Sequence, residues 1–276
     1  MEKKVILLTG ASSGIGYQTA IDLAKAGHTV YAVARRVDKM KPLQTLGVTT
    51  MHLDVTDEDE CRQVVQEVLR REQRIDVLIN NAGYGLYGAV EDLPMADARN
   101  VFDVNVLGMA TMVKYVAPVM RQQRSGLIIN ISSIGGRVPT YLGSYYHATK
   151  FAVEGFSAAV RMELAPFGIK VVAFEPGGIK TEFGAIAAKR LEEVSKGGAY
   201  EEEGLITARG IRNQYSGNML NPPTVISKAL VKIVGSRCPH NRYLVGFMAK
   251  PIVAMYALLP TRLYNRLMRR ANNWEI

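Results

Sequence analysis

The feature that most constrains this chain is a short apolar run that ends on a glycine-rich turn and passes straight into a helical pattern. Val5-Ile6-Leu7-Leu8 has strand length and no polar break, as a strand buried on both faces requires. Thr9-Gly10-Ala11-Ser12-Ser13-Gly14-Ile15-Gly16 follows at once. Ile15, Thr19, Ala20, Leu23 and Ala24 then recur at helical spacing, with Gly27 placed to end the helix. In such a strand–turn–helix unit, glycines let main chain approach a pyrophosphate. The helix start offers unpaired N–H groups and a positive dipole end. The spacing is GxxxGxG, and no Gly-Lys-Ser/Thr follows, so this is not a P-loop. A tight turn without a ligand is the alternative. Gly10, Ser12, Ser13, Gly14, Ile15 and Gly16 are therefore candidate cofactor contacts.

The rest of the chain repeats the alternation. Strands are expected at 29–34, 50–55, 75–80, 127–131, 170–175 and 242–245, with helices at about 57–72 and 94–124, from Tyr146 to about 165, and after Pro222. Thr56 or Asp57 suits the cap of the first of these helices, with Asp59 or Glu60 completing a capping box. This order predicts an α/β protein: one doubly wound parallel sheet with helices on both faces, a Rossmann fold, followed by a C-terminal helical extension. Residues 1–248 are expected to form the catalytic domain and 249–276 the extension. The stretch 183–222, glycine-bearing and weakly periodic, is expected to be a long substrate-covering loop.

In a sheet of this kind ligands lie beyond the strand C-termini. The residues found there are small, polar or basic. Asp54 and Val55 end the third strand, and Asn81-Ala82-Gly83 follow the fourth. Ser133 follows the fifth, and Pro176, Gly177, Ile179 and Thr181 follow the sixth. Arg35 and Arg36 follow the second, and Ala34 holds the place where an acid would bind the ribose hydroxyls of NAD. Two guanidiniums there suit a 2′-phosphate, which favours NADP(H), with NAD(H) as the alternative. Asn105 sits inside a helical stretch, where asparagine needs a partner or marks a local distortion. Tyr146 and Lys150, four residues apart, share one helix face.

Charge and length exclude other classes. The 276 residues are 48% hydrophobic, ample for one core. The net charge is +9, but the segment from Arg237 onward carries +6 of it, so no basic stripe crosses the body and no nucleic-acid partner is expected. Two cysteines and four dispersed histidines offer no metal-ligand pattern. Nothing at the start resembles a signal peptide, so a reduced, cytoplasmic protein is expected. Pro251 to Leu259 is too short to span a bilayer. Beyond Pro260, Leu263, Tyr264, Leu267 and Met268 form an apolar stripe beside Arg262, Arg266, Arg269 and Arg270. Such a helix suits either an anionic membrane surface or packing over the pocket or a subunit interface.

Taken in order, TGxxxGxG at Thr9–Gly16, NNAG at Asn80–Gly83, Asn105, Ser133, YxxxK at Tyr146 and Lys150, and the PG turn at Pro176-Gly177 resemble the short-chain dehydrogenase/reductase family. The hydroxysteroid, retinol and acyl-dihydroxyacetone-phosphate reductase-like branch is the most similar. The resemblance covers about residues 4–183 and shows no departure in the catalytic set. It implies an NAD(P)-dependent oxidoreductase acting on CH–OH groups. Tyr146 would exchange the proton and Ser133 orient the carbonyl oxygen. Lys150 would favour the phenolate and bind the nicotinamide ribose. Asn105 would support a water chain, and Thr181 with the backbone at Ile179 would hold the carboxamide. A sensor or scaffold without catalysis, and an epimerase or dehydratase, are the competing readings. The apolar and aromatic stretches 84–87 and 138–142, with Phe183, imply a lipophilic substrate. The family also implies a homodimer or homotetramer.

Overall fold

A computed structural model describes residues 2–217 and 220–271, with side chains as far as Leu267. Seven parallel strands form one sheet: β1 (Val5–Thr9), β2 (Thr29–Ala34), β3 (Thr49–His52), β4 (Val77–Asn80), β5 (Gly126–Ile131), β6 (Ile169–Pro176) and β7 (Arg242–Val245). Their spatial order is β3-β2-β1-β4-β5-β6-β7. The chain winds outward from β1 to β3, then returns to place β4 on the other side of β1. That reversal opens a crevice beyond the C-termini of β1 and β4.

The unbroken apolar run of β1 is explained by its two faces. Ile6 and Leu8 pack on one side with Ala20 and Leu23 of α1 (Gly14–Lys25) and Ile226, Leu230 and Ile233 of α9 (Pro223–Gly235). Val5 and Leu7 pack on the other with Val64, Val65 and Val68 of α3 (Glu58–Glu72), Met112, Val113 and Val116 of α5 (Met109–Gln123) and Val160 of α6 (Ser144–Leu164). Alternate side chains of a strand point to opposite faces, so a strand covered on both sides is apolar throughout. A short α2 (Lys41–Gln44) links β2 to β3, and α4 (Met95–Phe102) precedes a π turn over Asp103–Gly108 that carries Asn105.

Three expectations are corrected. The stretch 183–222 is not an open loop: it holds α7 (Phe183–Ser195) and α8 (Glu201–Ser216), a helical hairpin whose Ala188, Leu191 and Ala208 join Ala89 and Leu142 in a small core. The helices approach closely enough to bury Gly204 against Ser195 and Gly184 beneath the Tyr215 ring. The capping box on α3 is also absent in its reciprocal form. Asp57 does cap the helix, accepting from the Glu60 main-chain N–H at 2.9 Å, but the Glu60 carboxylate turns to the Asp54 N–H at 2.8 Å. Third, Val138 faces away from the crevice, into a cluster with Val253 and Tyr264 of the C-terminal helices.

Those helices are α10 (Ala249–Leu258) and α11 (Thr261–Ala271). Tyr264 is buried, stands edge-on to Tyr256 at 4.7 Å and donates a 3.5 Å hydrogen bond to the Pro139 carbonyl. Leu263 and Leu267 stay exposed. The expected stripe residues Met268, Arg269 and Arg270 lie outside the described side chains. No helix among the described residues is long and apolar enough to cross a membrane.

Candidate active site

A cleft of about 670 Å³ runs along the C-terminal edge of the sheet. At one end, Gly10 holds a left-handed backbone (φ 68°), and a Cβ there would stand 2.7 Å from the Ala82 Cα. The turn is fastened to β4 by Asn81, whose side-chain amide donates to the Thr9 and Gly10 carbonyls at 3.1 and 3.0 Å. Thr9 Oγ1 in return accepts from the main-chain N–H groups of Asn81 and Ala82 at 3.0 and 3.1 Å. Ser13, at the start of α1, makes no side-chain capping bond, and the first turn of that helix contains no acid. Its leading N–H groups therefore face the cleft without a competing anion. That donor set fits the pyrophosphate of a dinucleotide.

Past the end of β2, Arg36 donates to Ser12 Oγ and Ser13 Oγ at 3.2 and 3.1 Å. Arg35 lies 3.8 Å from Asp54 Oδ2. Burial works against charge on Asp54, but the Thr56 N–H and hydroxyl donate to Oδ1 at 3.0 and 2.8 Å and, with Arg35, hold its carboxyl below the usual range. Arg35 and Arg36 thus stand beside Ala34, which puts no acid at the end of β2, and Leu53 completes the wall.

At the opposite end, α6 presents Tyr146 and Lys150 to the cleft, and the segment after β5 presents Ser133. Lys150 Nζ donates to the Ile131 carbonyl at 2.9 Å and stands 6.0 Å from the centre of the Tyr146 ring. Burial pushes Lys150 down to about 8, with Glu154 acting against the shift. Burial pushes the Tyr146 phenol well above its ordinary value, and a hydrogen bond with Ser133 opposes this. In the protein without cofactor, desolvation therefore outweighs the hydrogen bond that favours the phenolate. Ser132, the neighbour of Ser133, points inward, its hydroxyl buried and without a hydrogen-bond partner.

Of the residues singled out from the sequence, Gly10, Ser12, Ser13, Gly14, Ile15, Arg35, Arg36, Asp54, Val55, Asn81, Ala82, Gly83, Ser133, Tyr146, Lys150, Pro176, Gly177, Ile179 and Thr181 all line this cleft. Gly16 and Asn105 do not. Gly16 lies behind the turn, where a Cβ would collide with the Gly10 carbonyl and the Asn81 amide. Asn105 is buried and serves as a tie. Its side chain accepts from the Tyr84 N–H at 3.0 Å and donates to the Tyr84 carbonyl at 3.0 Å and to Thr149 Oγ1 at 3.1 Å. Thr149 in turn donates to the Tyr146 carbonyl at 2.7 Å.

The mouth is aromatic. Phe183 stands 5.6 Å from Tyr146 and stacks on Tyr215 at 6.4 Å. Leu86 and Ile186 extend this apolar wall. An ion pair between Arg190 of α7 and Asp97 of α4 bridges the rim. Tyr215, Arg190 and Asp97 carry no motif and come together only through the hairpin.

The short chain dehydrogenase profile matches residues 4–191. A 3-ketodihydrosphingosine reductase of Bacteroides thetaiotaomicron is 36% identical over 255 residues, covering 92% of each chain. Retinol dehydrogenase 8 of Bos taurus is 34% identical over 275 residues, 94% of this chain and 86% of the relative. Among solved structures, a short-chain dehydrogenase from Streptomyces avermitilis superimposes with a TM-score of 0.80 at 31% identity, covering 96% of both chains. A serine dehydrogenase complexed with NADP+ does so with 0.73 at 27% identity, covering 86% of this chain and 92% of that one.

Proposed function

The chain belongs to the short chain dehydrogenase family of oxidoreductases acting on CH–OH groups, and from that premise we propose an NADP(H)-dependent enzyme that interconverts a carbonyl and an alcohol on a lipophilic substrate. The observation that carries this reading is the convergence of Ser133, Tyr146 and Lys150 in one cleft with the uncapped start of α1. Residues 1–248 form the catalytic unit, and 249–276 an extension that buttresses it through Tyr264.

The N–H groups at the start of α1 would hold the pyrophosphate, and Arg35, Arg36 and the Ser12 and Ser13 hydroxyls would hold a 2′-phosphate through charge-assisted bonds. Asp54 and Val55 would flank the adenine, while Asn81, Ala82 and Gly83 leave room for close passage over the sheet. Pro176, Gly177, Ile179 and Thr181 would bracket the nicotinamide. When bound, that ring supplies or accepts the hydride. Lys150 holds the ribose beside it. Ser133 donates a hydrogen bond to the carbonyl oxygen, and Tyr146 delivers the proton to the same oxygen. Asn105 keeps the π turn and Tyr84 in register behind them, on the path toward solvent.

Leu86, Phe183, Ile186 and Tyr215 support an apolar, extended or ring-bearing substrate. The names of the reductase and retinol dehydrogenase relatives agree with that class. Phe151 and Met162, three helical turns apart on α6, are exposed together with Leu107, which supports a homodimer or homotetramer. On α10 and α11, exposed Leu258, Leu263 and Leu267 beside Arg262 and Arg266 support contact with an anionic membrane surface. Co-sedimentation with phosphatidylserine vesicles should weaken when the three leucines become serine, and unchanged binding would remove that contact.

The decisive test is Tyr146→Phe. NADPH oxidation should fall to background in a screen of retinal, aliphatic ketones, steroids and acyl-dihydroxyacetone phosphate, while NADPH binding by fluorescence stays within about twofold. Retained turnover would overturn the assignment.

A further inference from the structure

His147 follows Tyr146 on α6, is buried, and has both ring nitrogens engaged. Nδ1 lies 2.9 Å from the Gly135 carbonyl. Nε2 lies 3.0 Å from the Thr140 main-chain nitrogen and 2.8 Å from Thr140 Oγ1. A main-chain N–H can only donate, so Nε2 is an acceptor. The single proton of the neutral ring then sits on Nδ1, donated to Gly135. Gly135 also donates its own N–H to Ser133 Oγ at 3.0 Å. One short chain of bonds therefore links the residue next to Tyr146 with the hydroxyl of Ser133.

The segment is shaped around this ring. A Cβ at Gly135 would stand 3.0 Å from Nδ1, and one at Gly143 would stand 2.7 Å from Cδ2 and Nε2. The His147 N–H donates to the Gly143 carbonyl at 2.8 Å. Tyr87 meets the ring edge-on at 6.4 Å from the far side and Tyr146 at 5.5 Å from its own helix. The groups that face His147 are thus two phenols and the Thr140 hydroxyl. Arg137, on the same segment, is turned to Glu175 at 3.4 Å, and Lys150 is turned to Ile131.

We propose that His147 is a positioning residue: in its neutral Nδ1–H form it ties the segment carrying Ser133 to the helix carrying Tyr146, and protonation of Nε2 releases that tie. A protonated Nε2 would point a second donor at the Thr140 N–H, a repulsive contact at a partly buried bond. Burial lowers the proton affinity of His147, with the Gly135 bond partly offsetting this, so the tie is closed at neutral pH and opens on acidification. The proposal rests on the reading of Ser133 and Tyr146 as the carbonyl-handling pair, and it adds an acid limit to their activity that neither residue supplies.

Two measurements on the full chain test it. In ¹⁵N-histidine NMR, His147 should show the Nδ1–H tautomer at pH 7 and remain neutral to below about pH 6.5. The Nε2–H tautomer, or a charged ring at pH 7, would overturn the proposal without any substrate in hand. In NADPH oxidation with whichever of retinal, 2-tridecanone or an acyl-dihydroxyacetone phosphate turns over fastest, wild-type kcat should fall on acidification in step with the NMR titration. His147→Gln, an acceptor for Thr140 that does not titrate, should lose this acid limb. His147→Phe should lower kcat about tenfold or more at every pH with NADPH affinity kept. An acid limb unchanged in His147→Gln would overturn the proposal. Failure of the underlying reading is seen separately, as turnover that survives Tyr146→Phe.

Discussion

Lys150 and Tyr146 share one face of α6, with the lysine ammonium 6.0 Å from the tyrosine ring centre and both side chains buried. Burial pushes both toward their neutral forms, the lysine down to about 8 and the tyrosine up. A buried cation at this position therefore has a cost in the free protein. Between about pH 8 and the ordinary lysine value of 10.5, the unfolded chain binds more protons than the native one. The penalty is thus fully present below pH 8 and fades as pH rises to 10.5. Lys150→Met should stabilise the cofactor-free protein at pH 7 by on the order of 1–3 kcal/mol, seen as a higher melting temperature, and the gain should shrink toward pH 10.5 while turnover is lost. A Lys150→Met protein less stable than wild type at pH 7 would contradict this.

If this lysine binds the cofactor as proposed, it should set an alkaline limit on that binding. As pH rises through about 8 the ammonium of the free protein is lost. Fluorescence titration should show NADPH affinity falling in that range, and Lys150→Met should flatten the profile. A wild-type profile flat to pH 9.5 would show that the bound cofactor does not depend on this charge.

Arg36 bonds Ser12 and Ser13, and Arg35 faces Asp54, at the place where Ala34 leaves no acid. Replacing both arginines by alanine should weaken NADP(H) about 10- to 100-fold, and NAD(H) less than about threefold, as the loss of charge-assisted bonds to one phosphate predicts. Both side chains are exposed, so thermal stability should hold. A preference left unaltered in the kcat/KM ratio would refute the 2′-phosphate assignment.

Asn105 satisfies the Tyr84 N–H and carbonyl and bonds Thr149, which is itself bonded to the Tyr146 carbonyl. Asn105→Ala would strand buried polar groups and should destabilise the protein by about 2–4 kcal/mol. Asn105→Asp keeps the acceptor for Tyr84 N but loses both donors, and should fall between. Equal melting temperatures for all three proteins would show that the tie does not hold the π turn.

Gly16 and Gly155 are both helical, yet an added methyl meets the Gly10 carbonyl and the Asn81 amide at the first and nothing within 4 Å at the second. Gly16→Ala should cost more than about 2 kcal/mol and impair cofactor binding. Gly155→Ala should be neutral or stabilising by up to about 1 kcal/mol. Denaturant melts compare the two directly, and similar midpoints would mean the turn can relax.

These contrasts show where local reading of the chain succeeds. β1 was legible because burial on both faces demands an apolar residue at every position, and the turn after it because only glycine accepts the Gly10 backbone beside Ala82. The helical hairpin was not. Gly184 and Gly204 argue locally for a loop, yet they are needed where α7 and α8 approach too closely for side chains. The same residue type signals flexibility in a window of sequence and tight contact in a packed pair of helices. Val138 was misplaced for a similar reason. Its apolar character required burial, but which surface buries it depended on Val253 and Tyr264, more than a hundred residues away.

By itself, then, the sequence determined the order of the strands, the glycine turn, and which side chains could do chemistry, because these follow from periodicity, backbone sterics and functional-group type. Only the tertiary structure decided that Asn105 acts as a tie, that Arg190 meets Asp97 across the rim, and that His147 is bonded at both nitrogens. It also decided the direction in which Tyr146 is shifted. Proton affinity depends on how completely water is removed and on which dipoles replace it, and both are set by residues distant in sequence.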